Sequence, residues 1–379
     1  MSLFGLMFWT IVTSNFQPIQ VGIASTLIAT AEFIITIGFL GMESSVIRFM
    51  KPYNGRLIKT AFIITGLFVA FLSVIFVLFV ELWQPRLNFL REFIPAQLFV
   101  LLIVLYLYFK LLTSVFVGQK NAKLVFFKDM LFNVLKILGI ASLVYFGLYE
   151  PFGIFTVWMC AAAFAFFVSF PFADTKKGSE FNREGIRKLA TFSGTNYVAN
   201  FLELIPETLV PILITAIISP FYTAIYYVDW MIASILFFIP ISIGKNMLAS
   251  ESSQSIHRIR ETLKFSYSLL IPAVIVILFF SDYILLIFGR AYSVQGANLL
   301  RLLAVSSVPL AINAVYIARM NLKHNMRAVI LTHFSIVAGT LVIGYFLINL
   351  GIIAIGIGWL ASQVTVALAL SRGVLKWKD

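Results

Sequence analysis

Residues 58–82 read IKTAFIITGLFVAFLSVIFVLFVEL, with Lys59 and Glu81 near the two ends and no charge between them. At 1.5 Å of rise per residue such a run exceeds the roughly 30 Å of a bilayer's hydrocarbon core. It is too long, and too free of alternation, to be a barrel strand. The stretch reads as a membrane-spanning helix.

About twelve blocks of this kind follow one another, each near the ~20 residues a crossing takes. They are Leu3–Phe16, Val21–Met42, Ile58–Leu82, Phe93–Val117, Val125–Leu148, Phe152–Phe172, Leu189–Ile218, Phe221–Ala249, Phe265–Phe288, Leu299–Ala318, Ala328–Ile348 and Ile352–Leu370. With 61% hydrophobic and 12% charged residues over 379 positions, the chain cannot cover itself with a water-soluble surface. The expected class is an all-α polytopic membrane protein.

The basic residues then sort by side. With the N-terminus inside, the outer connections hold only Arg86, Arg91, Arg290 and Arg301. The inner ones collect Arg48, Lys51, Arg56 and Lys59; Lys120, Lys123 and Lys128; Lys176, Lys177, Arg183, Arg187 and Lys188; Arg258, Arg260 and Lys264; Arg319, Lys323 and Arg327; and Arg372, Lys376 and Lys378. Short basic loops stay on the cytoplasmic side, so both termini are expected there, in the cell membrane. The net charge of +12 is thereby a topology signal with contacts to anionic membrane lipids. No nucleic-acid partner is expected, because the charge is spread over short loops without an aromatic platform.

Cys160 is the single cysteine and lies in an apolar span, which excludes a disulfide framework or a thiol metal site. H-E-x-x-H, G-x-S-x-G and G-x-x-x-x-G-K patterns are absent, and Gly244-Lys245 has Ile239 where a phosphate loop needs its first glycine. The expectation is a transporter rather than an enzyme, with no cofactor beyond a coupling ion, proton or sodium. Leu3–Phe16 is short for a crossing and lacks a signal peptide's basic start and cleavage site.

Asp174–Lys188 (DTKKGSEFNREGIRK) is the longest polar interruption and divides the spans into two sets of six. The expected domains are an N-terminal lobe 1–172, a cytoplasmic linker 173–188 and a C-terminal lobe 189–379. Pro18-x-x-x-Gly22 is echoed by Pro220-x-x-x-Ala224, which suggests parallel repeats, an arrangement found in alternating-access transporters. By that match the first helix lacks about a dozen residues. Either the true start lies upstream or this helix is half length.

A charge at mid-membrane costs about 2.5–3.5 kcal/mol on insertion scales, so each needs a partner, a watery cavity or an escape route. Lys136 lies too deep to snorkel and is expected to face a cavity; Lys110 either lines one or anchors at the interface. Glu32 is a further intramembrane acid, and Asp129 is expected to pair with a nearby Lys. Glu203 and Glu207, four apart, share a helical face extended by Asn196 and Asn200, with Pro206 and Pro211 interrupting the helix. These, together with Asp229, either couple an ion or serve helix-to-helix hydrogen bonding.

Several segments resemble the multidrug/oligosaccharidyl-lipid/polysaccharide flippase superfamily, in particular its polysaccharide-biosynthesis branch of O-antigen and teichoic-acid exporters. They are FLGMESSVIRF, with Gly41, Arg48 and Phe49; FFIPISIGKNML; YILLIFGRAYSVQGANLLRLLAVSSVP, from Tyr283 to Pro309; and LGIIAIGIGWLASQ. The resemblance covers essentially the whole chain and is strongest at Phe288-Gly289-Arg290-x-Tyr292. Because the first helix is short, a site residue that the family carries there is not located by the resemblance.

The resemblance implies two six-helix lobes around a central cavity and an alternating-access flippase fold. It implies movement of a lipid-diphosphate-linked glycan across the cytoplasmic membrane, driven by an ion gradient or the membrane potential. Lys136, Lys110 and Arg48 then suit a diphosphate head, and a glycan polymerase or glycosyltransferases of the same pathway are implied partners. The alternatives are a multidrug or organic-cation antiporter of the same superfamily, a membrane-embedded glycan-processing enzyme, and a non-transporting scaffold of envelope assembly.

Overall fold

The structure is a computed structural model that describes residues 3–174, 183–248 and 256–376, with the side chains at 3, 51–54, 183–196, 245–248, 256–260, 262 and 372–376 outside the description. It is all-helical among those residues. The elements are α1 (Leu3–Asn15), α2 (Pro18–Gly38), α3 (Met42–Trp83), α4 (Phe93–Gly118), α5 (Ala122–Tyr145), α6 (Pro151–Ser169), α7 (Arg183–Ile217), α8 (Pro220–Leu248), α9 (Ile256–Leu286), α10 (Arg290–Leu322), α11 (Met326–Phe346) and α12 (Ile353–Lys376). Among the described residues, 10 helices are long and apolar enough to cross a membrane. The other two are α1, with 13 residues, and α5, which carries Lys123, Lys128, Asp129 and Lys136 along its length. The chain is a multi-pass membrane protein.

Local chemistry sets the helix ends. Proline opens α2, α6 and α8, where its missing N–H costs nothing and its fixed φ suits the first turn. Asn121 and Asn325 cap α5 and α11, accepting from the backbone N–H of Leu124 at 3.2 Å and Ala328 at 3.3 Å. Gly289, in the turn before α10, has φ of 122°, a conformation that only glycine adopts readily.

Two boundaries differ from the sequence reading. The second span stops at Gly38, and Leu40 and Gly41, both at positive φ, turn the chain into a new helix that starts at Met42. The polar stretch carrying Arg48 and Arg56 is therefore the start of a 42-residue helix rather than a loop. Its charges are borne on the helix surface, which needs no break in the backbone. Likewise, α7 begins at Arg183, inside the expected linker, whose residues 175–182 lie outside the described ones. Pro206 and Pro211 sit within α7, which stays helical through both.

Packing divides the chain into two compact units, Ser2–Thr223 and Ala224–Asp379. In the first, α2 is the central helix, touching α1, α3, α4, α6 and α7. The first unit thus includes α7, whereas the sequence division at 173–188 follows the repeat. In the second unit α10 packs against α9, α11 and α12.

The tightest crossing in the first unit is where α2 meets the turn between α7 and α8. A Cβ on Gly22 would collide with the Pro220 carbonyl, so only glycine lets these backbones meet. One turn on, the Thr26 hydroxyl donates to the Gly22 carbonyl at 2.7 Å and bonds the Thr215 hydroxyl, which bonds Thr223 at 2.6 Å. One consistent direction runs Thr223 to Thr215 to Thr26 to the Gly22 carbonyl, so each hydroxyl donates once.

Candidate transport site

The first unit carries intramembrane charge on α2, α4, α5 and α7. Glu32 lies on α2 at a point where α4 brings up Tyr106 and Lys110, four residues apart and hence on one helical face. The Tyr106 hydroxyl donates to Glu32 Oε1 at 2.6 Å, and Lys110 Nζ pairs with Glu32 Oε2. Both carboxylate oxygens are thereby engaged. The side chains of Lys110 and Glu32 are 32% and 22% exposed, so the pair sits at a surface rather than in the packed core. Lys110 Nζ also lies 5.3 Å from the centre of the Tyr106 ring.

Two further cations on α5 lie deeper. Lys128 is fully buried, donates to Asp129 at 2.6 Å, and stands 3.4 Å over the Phe109 ring. Lys136, two turns on, is 3% exposed and lies among three rings, at 4.4 Å from Trp158, 4.7 Å from Phe132 and 5.6 Å from Phe8. No acid pairs with it among the described residues. A desolvated cation over a ring gains about 0.5–2 kcal/mol, so three such contacts are of the size of the ~3 kcal/mol that placing the charge there costs. The rings close over Lys136.

Arg48 is exposed on α3. On α7, Glu203 and Glu207 are both exposed, one turn apart, with Asn200 exposed nearby; the Asn196 side chain lies outside the described residues. These carboxylates belong to the first unit, and Asp229 on α8 to the second. No group of three His, Cys, Asp or Glu side chains placed to hold a metal occurs among the described residues.

Asp229 is the most unusual group in the second unit. It is fully buried and neither carboxylate oxygen has a hydrogen-bond partner among the described residues. Its carboxylate lies flat over Gly296 of α10, where a Cβ would stand 2.8 Å from each oxygen. Tyr292, one turn earlier on α10, is buried with its hydroxyl also unpartnered. A buried carboxyl group with both oxygens unpartnered forgoes the hydrogen bonds that buried polar groups ordinarily make. In the same unit Asn313 Nδ2 on α10 donates to Gln363 Oε1 at 2.7 Å and to the Gln363 backbone carbonyl at 3.1 Å.

Sequence reasoning singled out each of these charges but did not join Glu32 to Lys110 or place rings around Lys136. The first pairing had a signal: an acid and a base, each costly alone in the membrane, both in the first six spans. The ring cage had none, since Phe8, Phe132 and Trp158 are three among 39 Phe and 6 Trp in a chain that is aromatic throughout.

No family model matches the chain, and no curated protein is significantly similar to it. Solved structures do match it along nearly its whole length. An inward-facing multidrug resistance MATE family transporter of the MOP superfamily superposes with a TM-score of 0.78 at 12% identity, over 97% of this chain and 93% of that one. The lipid II flippase MurJ, in an inward closed conformation, gives a TM-score of 0.71 at 14% identity, over 99% and 88%. A MOP superfamily transporter from Pyrococcus furiosus, described as having a binding pocket of reversed polarity, gives 0.63 at 12% identity, over 99% and 93%. The fold is the one shared by MATE transporters and MurJ.

Proposed function

We propose that this chain is an alternating-access flippase that moves a lipid-diphosphate-linked oligosaccharide or polysaccharide precursor across the cytoplasmic membrane, with both termini cytoplasmic. The observation that carries this reading is the positive field of Lys136, which has no acidic counter-ion among the described residues, together with Lys110, which reaches a surface. A diphosphate head brings two or more negative charges, which such a field attracts and an organic cation would avoid. Lys110 is the contact residue, Lys136 supplies potential from beneath its rings, and Arg48 guides the head near the end of α2. The two lobes, 1–172 and 189–379, are the moving bodies, joined by 173–188. Gradient coupling falls to Asp229, or to Glu203 and Glu207 with Asn200 and Asn196, through a proton or sodium ion. A glycan polymerase or glycosyltransferases of the same pathway would act on either side of the step.

A second reading, an organic-cation antiporter, is favoured by the exposed carboxylates Glu203 and Glu207. Translocation of a fluorescent lipid-diphosphate-oligosaccharide in proteoliposomes separates the two. The flippase reading expects movement of the glycolipid that is lost in Lys136→Ala and unaffected by organic cations. Gradient-driven uptake of an organic cation, without glycolipid movement, establishes the antiporter instead.

A further inference from the structure

We infer that Glu32 is a built-in competitor for the ligand of Lys110: an internal anion that holds the site when it is empty and that an incoming phosphate group must displace. The inference rests on the flippase reading above and adds to it the identity of the occupant.

The geometry singles out this pair. Lys128 is sealed and committed to its neighbour Asp129, and Lys136 is closed off by three rings. Lys110 is the mid-span lysine of the three that both reaches a surface and bonds an acid from another helix. Its partner is held for that task. Tyr106, on the same face of α4, donates to the second carboxylate oxygen and so fixes Glu32 toward Lys110. Glu43 on α3 and Lys128 on α5 lie within electrostatic range of the pair and carry opposite signs, leaving the local charge balanced.

A carboxylate and a phosphate oxygen are chemically equivalent acceptors for an ammonium group. Two anions approaching one ammonium repel each other, so a phosphate oxygen and the Glu32 carboxylate each weaken the other's hold on Lys110. The exchange serves the transport cycle. An empty carrier must return through the membrane, and a bare ammonium there is costly; with Glu32 in place the empty site returns neutral. The affinity of the loaded site is lowered by the same contact, which helps release.

The test is a binding titration of the purified full-length protein with a fluorescent short-chain isoprenyl diphosphate, with tetraphenylphosphonium as the cationic comparison. Wild type binds the diphosphate, Lys110→Gln loses at least tenfold, and Glu32→Gln gains about tenfold, the scale of one partly exposed charge-assisted contact. In the Lys110→Gln background, Glu32→Gln has no further effect, because the competitor has nothing left to compete for. Should Glu32→Gln fail to yield folded protein, Glu32→Asp keeps the charge, withdraws it by one methylene, and shifts affinity in the same direction by less. Diphosphate binding that depends on Lys110 but is unchanged or weakened in Glu32→Gln overturns the competitor role and leaves the flippase reading standing. Tetraphenylphosphonium binding with no diphosphate binding in any variant overturns both.

Discussion

Replacing Gly22 with alanine or valine tests the crossing on which the first unit is built. A Cβ there meets the carbonyl of Pro220, backbone against backbone, so no side-chain rotation relieves the overlap. The two segments must part by something on the order of 1–2 Å to restore ordinary contact. Overpacking of this type costs about 1–3 kcal/mol. The parting also stretches the hydroxyl chain from Thr26 through Thr215 to Thr223, whose links are worth about 1 kcal/mol each when buried. The expected loss is therefore about 3–5 kcal/mol for valine and somewhat less for alanine. At about 2–4 °C per kcal/mol for a unit of this size, the apparent melting temperature should fall by roughly 6–20 °C. The assay is thermal unfolding of the purified protein in one detergent at one scan rate, since membrane-protein unfolding is commonly irreversible. Gly5→Ala on α1 is the control, because a Cβ at that position meets nothing within 4 Å. That variant should match wild type or exceed it slightly through helix propensity. A Gly22→Ala protein as stable as Gly5→Ala would refute the close approach and the reasoning built on it.

Asp229→Asn should leave folding intact, because the amide takes the place of a buried, unpartnered carboxyl group of nearly the same shape, and its thermal unfolding should stay within a few degrees of wild type. If Asp229 carries the coupling proton, the same variant loses dependence of transport on the proton gradient; retained dependence assigns coupling elsewhere. Glu203→Gln with Glu207→Gln should blunt the dependence on a proton or sodium gradient, measured by varying each gradient separately, and an unchanged response returns the pair to a packing role. Lys136→Met, which fills the same space without charge, should be stable to within about 1 kcal/mol and yet lose glycolipid movement. Normal movement in that variant removes Lys136 from the transport machinery.

Much of the architecture was legible because hydrocarbon thickness leaves few options. The spans read from residues 93–117 and 221–249 correspond to α4 and α8 within a few positions. The reading failed where polarity was taken for irregular backbone. Residues 43–57 are charged and were expected as a loop, but they continue α3, with Glu43 and Arg48 exposed on it, and the true break lies at Leu40 and Gly41, where φ turns positive. A glycine in an apolar run is weak evidence of a turn until its φ is known. Site residues were legible as isolated costs and not as partners. Glu32 and Lys110 are 78 positions apart, so only the folded chain brings them together, although the need of each for an opposite charge was apparent. Asp229 was legible as a costly buried acid, but its position over Gly296 of α10 was not.

The contact between Asp229 and Gly296 has a bearing on how this chain can change over generations. A carboxylate resting flat on a bare helix backbone leaves no room for any side chain at 296 while Asp229 keeps its position. The two positions are not equivalent: a methyl group at 296 evicts the acid, whereas loss of the acid leaves only a void beside the glycine. In descendants and cousins of this chain the two positions should therefore change in a fixed order, with 229 shortening first and 296 acquiring a side chain only afterwards. A lineage holding aspartate at the first and alanine at the second must have moved α8 and α10 apart.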